Sequence, residues 1–118
     1  MEVYEIRIDM DRIDMDINIK KLWVKALRSG KYKKGVGSLH PTEDTYCCLG
    51  VLCDLYNKKQ KHVNTVVSLA GELLPERVFT WAKLPNNSPK PYKASLILIN
   101  DRHRKSFKYI ANLIEKYL

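Results

Sequence analysis

Asn18-Ile19-Lys20-Lys21-Leu22-Trp23-Val24-Lys25-Ala26-Leu27-Arg28-Ser29-Gly30 is the stretch on which the reading of the fold turns. Ile19, Leu22, Trp23, Ala26 and Leu27 recur at steps of three and four, which gathers them on one face of an α-helix. Asn18 is placed to cap the start, because a short side-chain oxygen accepts an amide that the first turn leaves unpaired. Gly30 stands where a helix ends in left-handed backbone.

Upstream the pattern changes period. Ile6, Ile8 and Met10 fall on one phase, and Ile13, Met15, Ile17 and Ile19 on the other. Alternation of this kind predicts a half-buried strand. Arg7-Ile8-Asp9-Met10-Asp11 repeats at once as Arg12-Ile13-Asp14-Met15-Asp16. An odd repeat puts the apolar set on the wrong face unless a turn or bulge near Asp11-Arg12 absorbs the slip.

Downstream, residues 31–46 read as a basic, glycine-punctuated loop and a short hairpin, with turn chemistry from Pro41 to Asp44. Cys47 to about Asn57 reads as an apolar helix. Gly50 inside it costs about 1 kcal/mol of helix propensity relative to Ala, so close approach of another backbone is expected there. Val63 to Leu69 fits strand or helix. Pro75 opens a short helix with Leu74, Val78 and Trp81 apolar. Pro85 to Pro91 reads as a surface loop. Ser95 caps a short turn through Ile99, and Ser106 caps a last helix with Phe107, Ile110, Ala111, Ile114 and Tyr117 as its buried stripe. The expected class is α+β: an N-terminal strand or hairpin, a short central hairpin and about four helices. One domain is expected, with 1–17 an acidic strand region and candidate oligomerisation arm, and 18–118 the core.

Charge is distributed unevenly. Residues 1–17 hold six acids against Arg7 and Arg12, whereas from Asn18 to Gly37 there are seven Lys or Arg and no acid. A basic body suits phosphate-bearing partners, though scattered lysines also serve solubility. No apolar run approaches the roughly 18 residues of a membrane span, and the acidic start fits neither a signal nor a transit peptide. Cys47, Cys48 and Cys53 form an odd cluster in an apolar stretch, which fits reduced, buried thiols in a cytoplasmic protein better than a disulfide framework.

Four segments together resemble a known family. They are Trp23 to Leu39, with Ser29-Gly30, Tyr32, Gly35 and Gly37; Tyr46-Cys47-Cys48-Leu49-Gly50-Val51-Leu52-Cys53-Asp54; Leu74-Pro75 with Val78 and Trp81; and Asn100-Asp101 with Ser106-Phe107, Ile110-Ala111 and Ile114-Glu115. The chain is similar over about 20–118 to a family of small proteins frequent in phages and prophages. The resemblance implies a phage setting and supplies no reaction. Lys34 stands where the family usually has Gln, Arg102-His103 where a glycine turn is common, and the acidic N-terminus has no counterpart.

Two motifs are candidates for anion chemistry. In Lys33-Lys34-Gly35-Val36-Gly37, glycines let amides turn toward an anion and lysines add charge; the alternative is a turn needing positive φ. It is no Walker loop, for Gly-Lys-Ser/Thr is missing. In Asn100-Asp101-Arg102-His103-Arg104 before Ser106, a helix N-terminus with two arginines and an Asn suits a phosphate and a base edge or ribose; the alternative is a capped turn. Tyr32 and Tyr46 border the basic loop and are the candidate stacking faces, while Trp23 lies on the apolar helix face. Adjacent Cys47 and Cys48 point about 100° apart on a helix, and His40, His62 and His103 are scattered, so no metal site and no cofactor are expected. The acid repeat lacks the Gly and distal Glu of a calcium loop.

No nucleophile, base or ligand set stands clear enough for an enzyme, whereas binding needs only anion donors and stacking faces. The leading expectation is a phage counter-defence protein that forms a homo-oligomer. It would sequester a small nucleotide signal, a cyclic nucleotide or an ADP-ribose derivative. The ligand-binding set is Tyr32, Lys33, Lys34, Gly35, Gly37, Tyr46, Asn100, Asp101, Arg102, Arg104 and Ser106. The alternatives are a nucleic-acid binder, a direct inhibitor of a host defence protein, and a small nucleotide-degrading enzyme using Asp101, His103 and a metal.

Overall fold

The computed structural model describes residues 13–91 and 93–118. The N-terminal strand expected from the alternation falls largely on residues outside this range. From Ile13 to Asp16 the chain is irregular, and Ile17, counted above in the strand phase, is already helical.

Helix α1 spans Ile17–Arg28. Asp16, not Asn18, is its cap: the carboxylate accepts from the amides of Asn18 at 2.9 Å and Ile19 at 3.0 Å. A charged acceptor at a helix N-terminus satisfies unpaired amides and favours the dipole, which explains the earlier start. Ile19, Trp23, Val24 and Leu27 are buried. Trp23 is wholly enclosed, and its indole N–H donates to the Cys48 carbonyl at 3.0 Å. Truncating such a side chain to Ala costs about 3–5 kcal/mol. Ser29 closes the helix, and Gly30 follows at φ +78°.

Strands β1 (Lys33–Lys34) and β2 (Thr45–Tyr46) pair in parallel, Lys33 beside Thr45 and Lys34 beside Tyr46. The expected central hairpin is therefore a two-residue parallel ladder. The reason lies in Leu39. It is buried in the core, and its carbonyl accepts from Cys47 N at 3.1 Å. The connection must dip into the core and return through the Thr42–Thr45 turn instead of folding straight back.

Helix α2 (Cys48–Lys58) begins there and runs through the middle of the core, with Cys48, Leu49, Val51, Leu52, Cys53 and Tyr56 buried. Its glycine has the reason that the sequence suggested. A Cβ on Gly50 would lie 1.7 Å from the Leu39 carbonyl oxygen. The chain continues through a 3₁₀ turn (Val63–Thr65) and helices α3 (Glu76–Trp81), α4 (Leu96–Asp101) and α5 (Phe107–Tyr117). Ser95 and Ser106 cap α4 and α5 as expected, accepting from Leu98 N and Tyr109 N, each at 3.2 Å. The Pro85–Pro91 loop is no simple surface loop: Pro89 and Pro91 are buried, and the Pro89 carbonyl accepts from Leu96 N at 3.0 Å. Five α-helices and one small sheet among the described residues make an α+β protein. No helix there is long and apolar enough to cross a membrane.

The three thiols are free and buried. Burial pushes all three above the ordinary thiol range, Cys53 to about 12. Cys47 caps α2 through its sulfur, 3.4 Å from Gly50 N.

A polar cluster ties the start of β1 to α2. The Tyr32 hydroxyl donates to Asp54, and Lys58 Nζ lies 3.1 Å from both the Tyr32 oxygen and the Asp54 carboxylate. Burial, and then the bond to Asp54, hold the Tyr32 phenol above its ordinary value of 10.0. Lys58 is also raised, first by its bond to Tyr32 and then by that to Asp54.

Two stability predictions follow from this packing. Gly50→Ala gains about 1 kcal/mol of helix propensity, but it drives a methyl into a backbone carbonyl. The expected net loss is about 3 kcal/mol or more, read as a lower urea midpoint. For the cluster, both raised groups favour their protonated forms in the folded state. Their contribution is complete below pH 10.0 and is lost as pH climbs through the raised folded values. Tyr32→Phe should therefore flatten the alkaline arm of a urea-midpoint profile; an unchanged slope would remove Tyr32 from that account.

Candidate functional site

The two motifs singled out in the sequence do meet, but they close on each other. Asn100 and Asp101 form the last turn of α4, not an open turn ahead of the Ser106 cap. Asn100 is fully buried. Its Oδ1 accepts from Cys48 N at 3.2 Å, and its Nδ2 donates to the Gly35 carbonyl at 2.9 Å and to Asp101 Oδ1 at 2.8 Å. The other Asp101 oxygen accepts from Gly37 N at 3.2 Å.

This arrangement weighs against the expected anion cradle in the glycine loop and leaves the expectation of ligand binding itself untried. The Gly37 amide, which would have faced a phosphate, is taken by a carboxylate of the same chain. Gly37 itself sits at φ +99°, the conformation that the turn reading required. Gly35 is fixed through its N–H to the Tyr46 carbonyl at 2.8 Å and through its carbonyl to Asn100. Asn100 is thus a structural crosslink without a donor to offer a ligand. The hollow beside the clasp, lined by Gly37, Ser38, Cys47, Glu72, Ile97 and Asp101, is about 140 Å³. Small-molecule sites run from about 300 Å³ upward.

The other expected residues lie as follows. The Tyr46 ring is stacked on His40 at 4.1 Å and met by the edge of Tyr32 at 5.1 Å, so the two tyrosines engage each other and a histidine. The Ser106 hydroxyl oxygen is occupied as a helix cap. Arg102 closes α4 and is exposed; Arg104 is exposed at φ +52°. Lys33 is exposed and Lys34 half-buried beside Tyr46. Among the described residues no group of His, Cys, Asp and Glu is placed to hold a metal ion.

A roomier concavity lies elsewhere. A groove of about 650 Å³ runs along α1, lined by Ile17, Lys20, Lys21, Val24, Lys25, Arg28, Ser29 and Glu115. Four of its side chains are cationic and one is anionic. Glu115 is engaged by Arg28, whose two terminal nitrogens reach its carboxylate at 3.2 and 3.1 Å; one of them also donates to Asn112 at 2.6 Å. This fork holds Glu115 below the usual carboxylate range and Arg28 above its own. It leaves Lys20, Lys21 and Lys25 around an apolar strip of Ile17 and Val24.

The spacing explains the convergence. Positions 17, 21, 24 and 28 follow helical steps and fall on one side of α1. The sequence carried the sign of it in the acid-free run from Asn18 to Gly37. The lysines beside the glycines give the stronger local signal, because glycine next to lysine resembles phosphate-binding loops.

No curated protein and no solved structure matches the chain. A family model matches residues 15–118. On that match the chain belongs to the family described as a domain of unknown function, DUF8296.

Proposed function

We propose that the protein binds a small phosphate-bearing nucleotide in the α1 groove and sequesters it without turnover. The observation that carries this reading is the groove: about 650 Å³, walled by Lys20, Lys21, Lys25 and Arg28 over an apolar strip. That volume falls within the span of small-ligand sites. An apolar strip beneath cations suits a ligand with a flat apolar part and a charged part. The motif resemblance to phage and prophage proteins adds the setting, in which a captured nucleotide signal, cyclic or ADP-ribose-like, would be withdrawn from host defence.

A second reading is single-stranded nucleic acid, favoured by the row of cations along one helix. The two differ in salt dependence. Neutralising several phosphates of a single strand gives a slope of about −0.7 per phosphate in log K against log salt, whereas a mononucleotide-sized ligand depends on salt more weakly.

The test is calorimetric titration with ADP-ribose and with a cyclic dinucleotide, beside mass spectrometry of whatever heat releases from the purified protein. We expect one equivalent bound and recovered intact. The exposed pair Lys21→Ala/Lys25→Ala should weaken binding at least about tenfold, or 1.4 kcal/mol, with an unchanged melting temperature. Lys34→Ala and Arg102→Ala serve as the contrast. If those two abolish binding and the α1 pair does not, the ligand sits on the loop side and the groove reading fails.

A further inference from the structure

We infer that the acidic N-terminal segment, residues 1–12, docks in the α1 groove of its own chain and competes there with anionic ligands. The inference rests on the reading of the groove as an anion-binding surface, not on the identity of the ligand. The segment lies outside the described residues and enters only through its sequence and its point of attachment.

Charge comes first. The segment carries Glu2, Glu5, Asp9 and Asp11 against Arg7 and Arg12. Among the described residues the groove carries Lys20, Lys21, Lys25 and Arg28 against one carboxylate, Glu115, which Arg28 forks and Lys20 also attracts. Apolar chemistry matches as well. Ile6, Ile8 and Met10 are interleaved with the acids. In the groove Ile17 is 57% exposed despite its bulk and lies beside Val24. A segment of mixed carboxylate and aliphatic character thus meets a surface of mixed ammonium and aliphatic character.

Tethering comes second. The Met15 amide donates to the Leu118 carbonyl at 3.1 Å, and the Asp16 amide to the Ala82 carbonyl at 2.9 Å. These bonds fix the chain at the first turn of α1, where the groove begins with Ile17. The helix is about 18 Å long at 1.5 Å per residue, and twelve residues reach up to about 40 Å, so the segment is long enough to span the groove even after turning back. A short tether supplies an effective concentration in the millimolar range. Weak contacts then suffice for substantial occupancy, and a tethered copy outcompetes the same segment of a neighbour.

The test uses the full chain. Zero-length carbodiimide coupling condenses a carboxylate with an amine in contact with it, and the linked peptides are mapped by mass spectrometry. We expect links from Glu5, Asp9 or Asp11 to Lys20, Lys21 or Lys25. In a mixture of ¹⁵N-labelled and unlabelled chains, each link should join peptides of one isotopic form. Links absent from the groove lysines, or joining mixed isotopic forms, overturn the proposal; the latter would place a second copy in the groove.

A binding measurement separates this inference from the proposed function. The variant Glu2→Gln/Glu5→Gln/Asp9→Asn/Asp11→Asn should bind inorganic triphosphate roughly five- to tenfold more tightly than the unaltered chain, as expected when a competitor holds most of the site. The gap should close as salt rises. Equal affinity in both forms overturns the inference. If neither form binds triphosphate while the groove links stand, the docking survives and the nucleotide reading falls.

Discussion

One buried amide holds three parts of this protein in register. Asn100 is enclosed at the end of α4, and its side chain reaches Cys48 N at the head of α2 and the Gly35 carbonyl on the loop. A buried amide side chain without these partners would cost several kcal/mol of desolvation. With them it fixes how far α4 stands from α2 and where the loop crosses between. The neighbouring carbonyl of Leu39 completes the lock, pressed against α2 where only glycine leaves room. A fold whose strands are two residues long cannot rely on a ladder for its geometry. Side chain to backbone bonds supply it instead.

That lock also limits what the glycine loop can offer an anion. The same turn of α4 places Asp101 against Gly37 N, so the loop closes on a negative charge from within the chain. A phosphate arriving there would meet a carboxylate already seated and a hollow too small to enter. Glycines beside lysines have two physical uses, opening amides to an anion and permitting positive φ. Here the second prevails. The basic character of the loop stays on the outside, while the larger concavity lies along α1.

Legibility followed the kind of interaction involved. Local rules were readable: the Ser95 and Ser106 caps, the Gly30 terminator, the apolar stripes and the tight approach at Gly50 all depend on neighbours in sequence or on the absence of a side chain. The cap of α1 was missed by two residues because Asp16 also fitted an alternating strand pattern, and a short window cannot separate the two uses. The parallel pairing of β1 and β2 was not readable, since it depends on Leu39 being drawn into a core formed by other helices. Asn100 misled for the same reason. In sequence it looks like a polar group ahead of a helix cap; only the arrival of Gly35 and Cys48 from far along the chain turns it into a crosslink.

The charges of α1 bear on the proposal that this face takes an anion. A helix draws stability from acids near its start and bases near its end, each contributing about 0.3–1 kcal/mol. Asp16, Lys25 and Arg28 obey this rule and need no other reason. Lys20 and Lys21 do not. They lie near the positive amide end, where the Asp16 carboxylate caps the helix and Glu115 lies within electrostatic reach of Lys20. Solubility alone would be served as well by lysines placed elsewhere or by glutamates at these positions. Lys21 and Lys25 stand one turn apart, about 5–6 Å between Cβ atoms, within a Debye length of roughly 8 Å. On the proposed reading the two would act on one anion as a joint field.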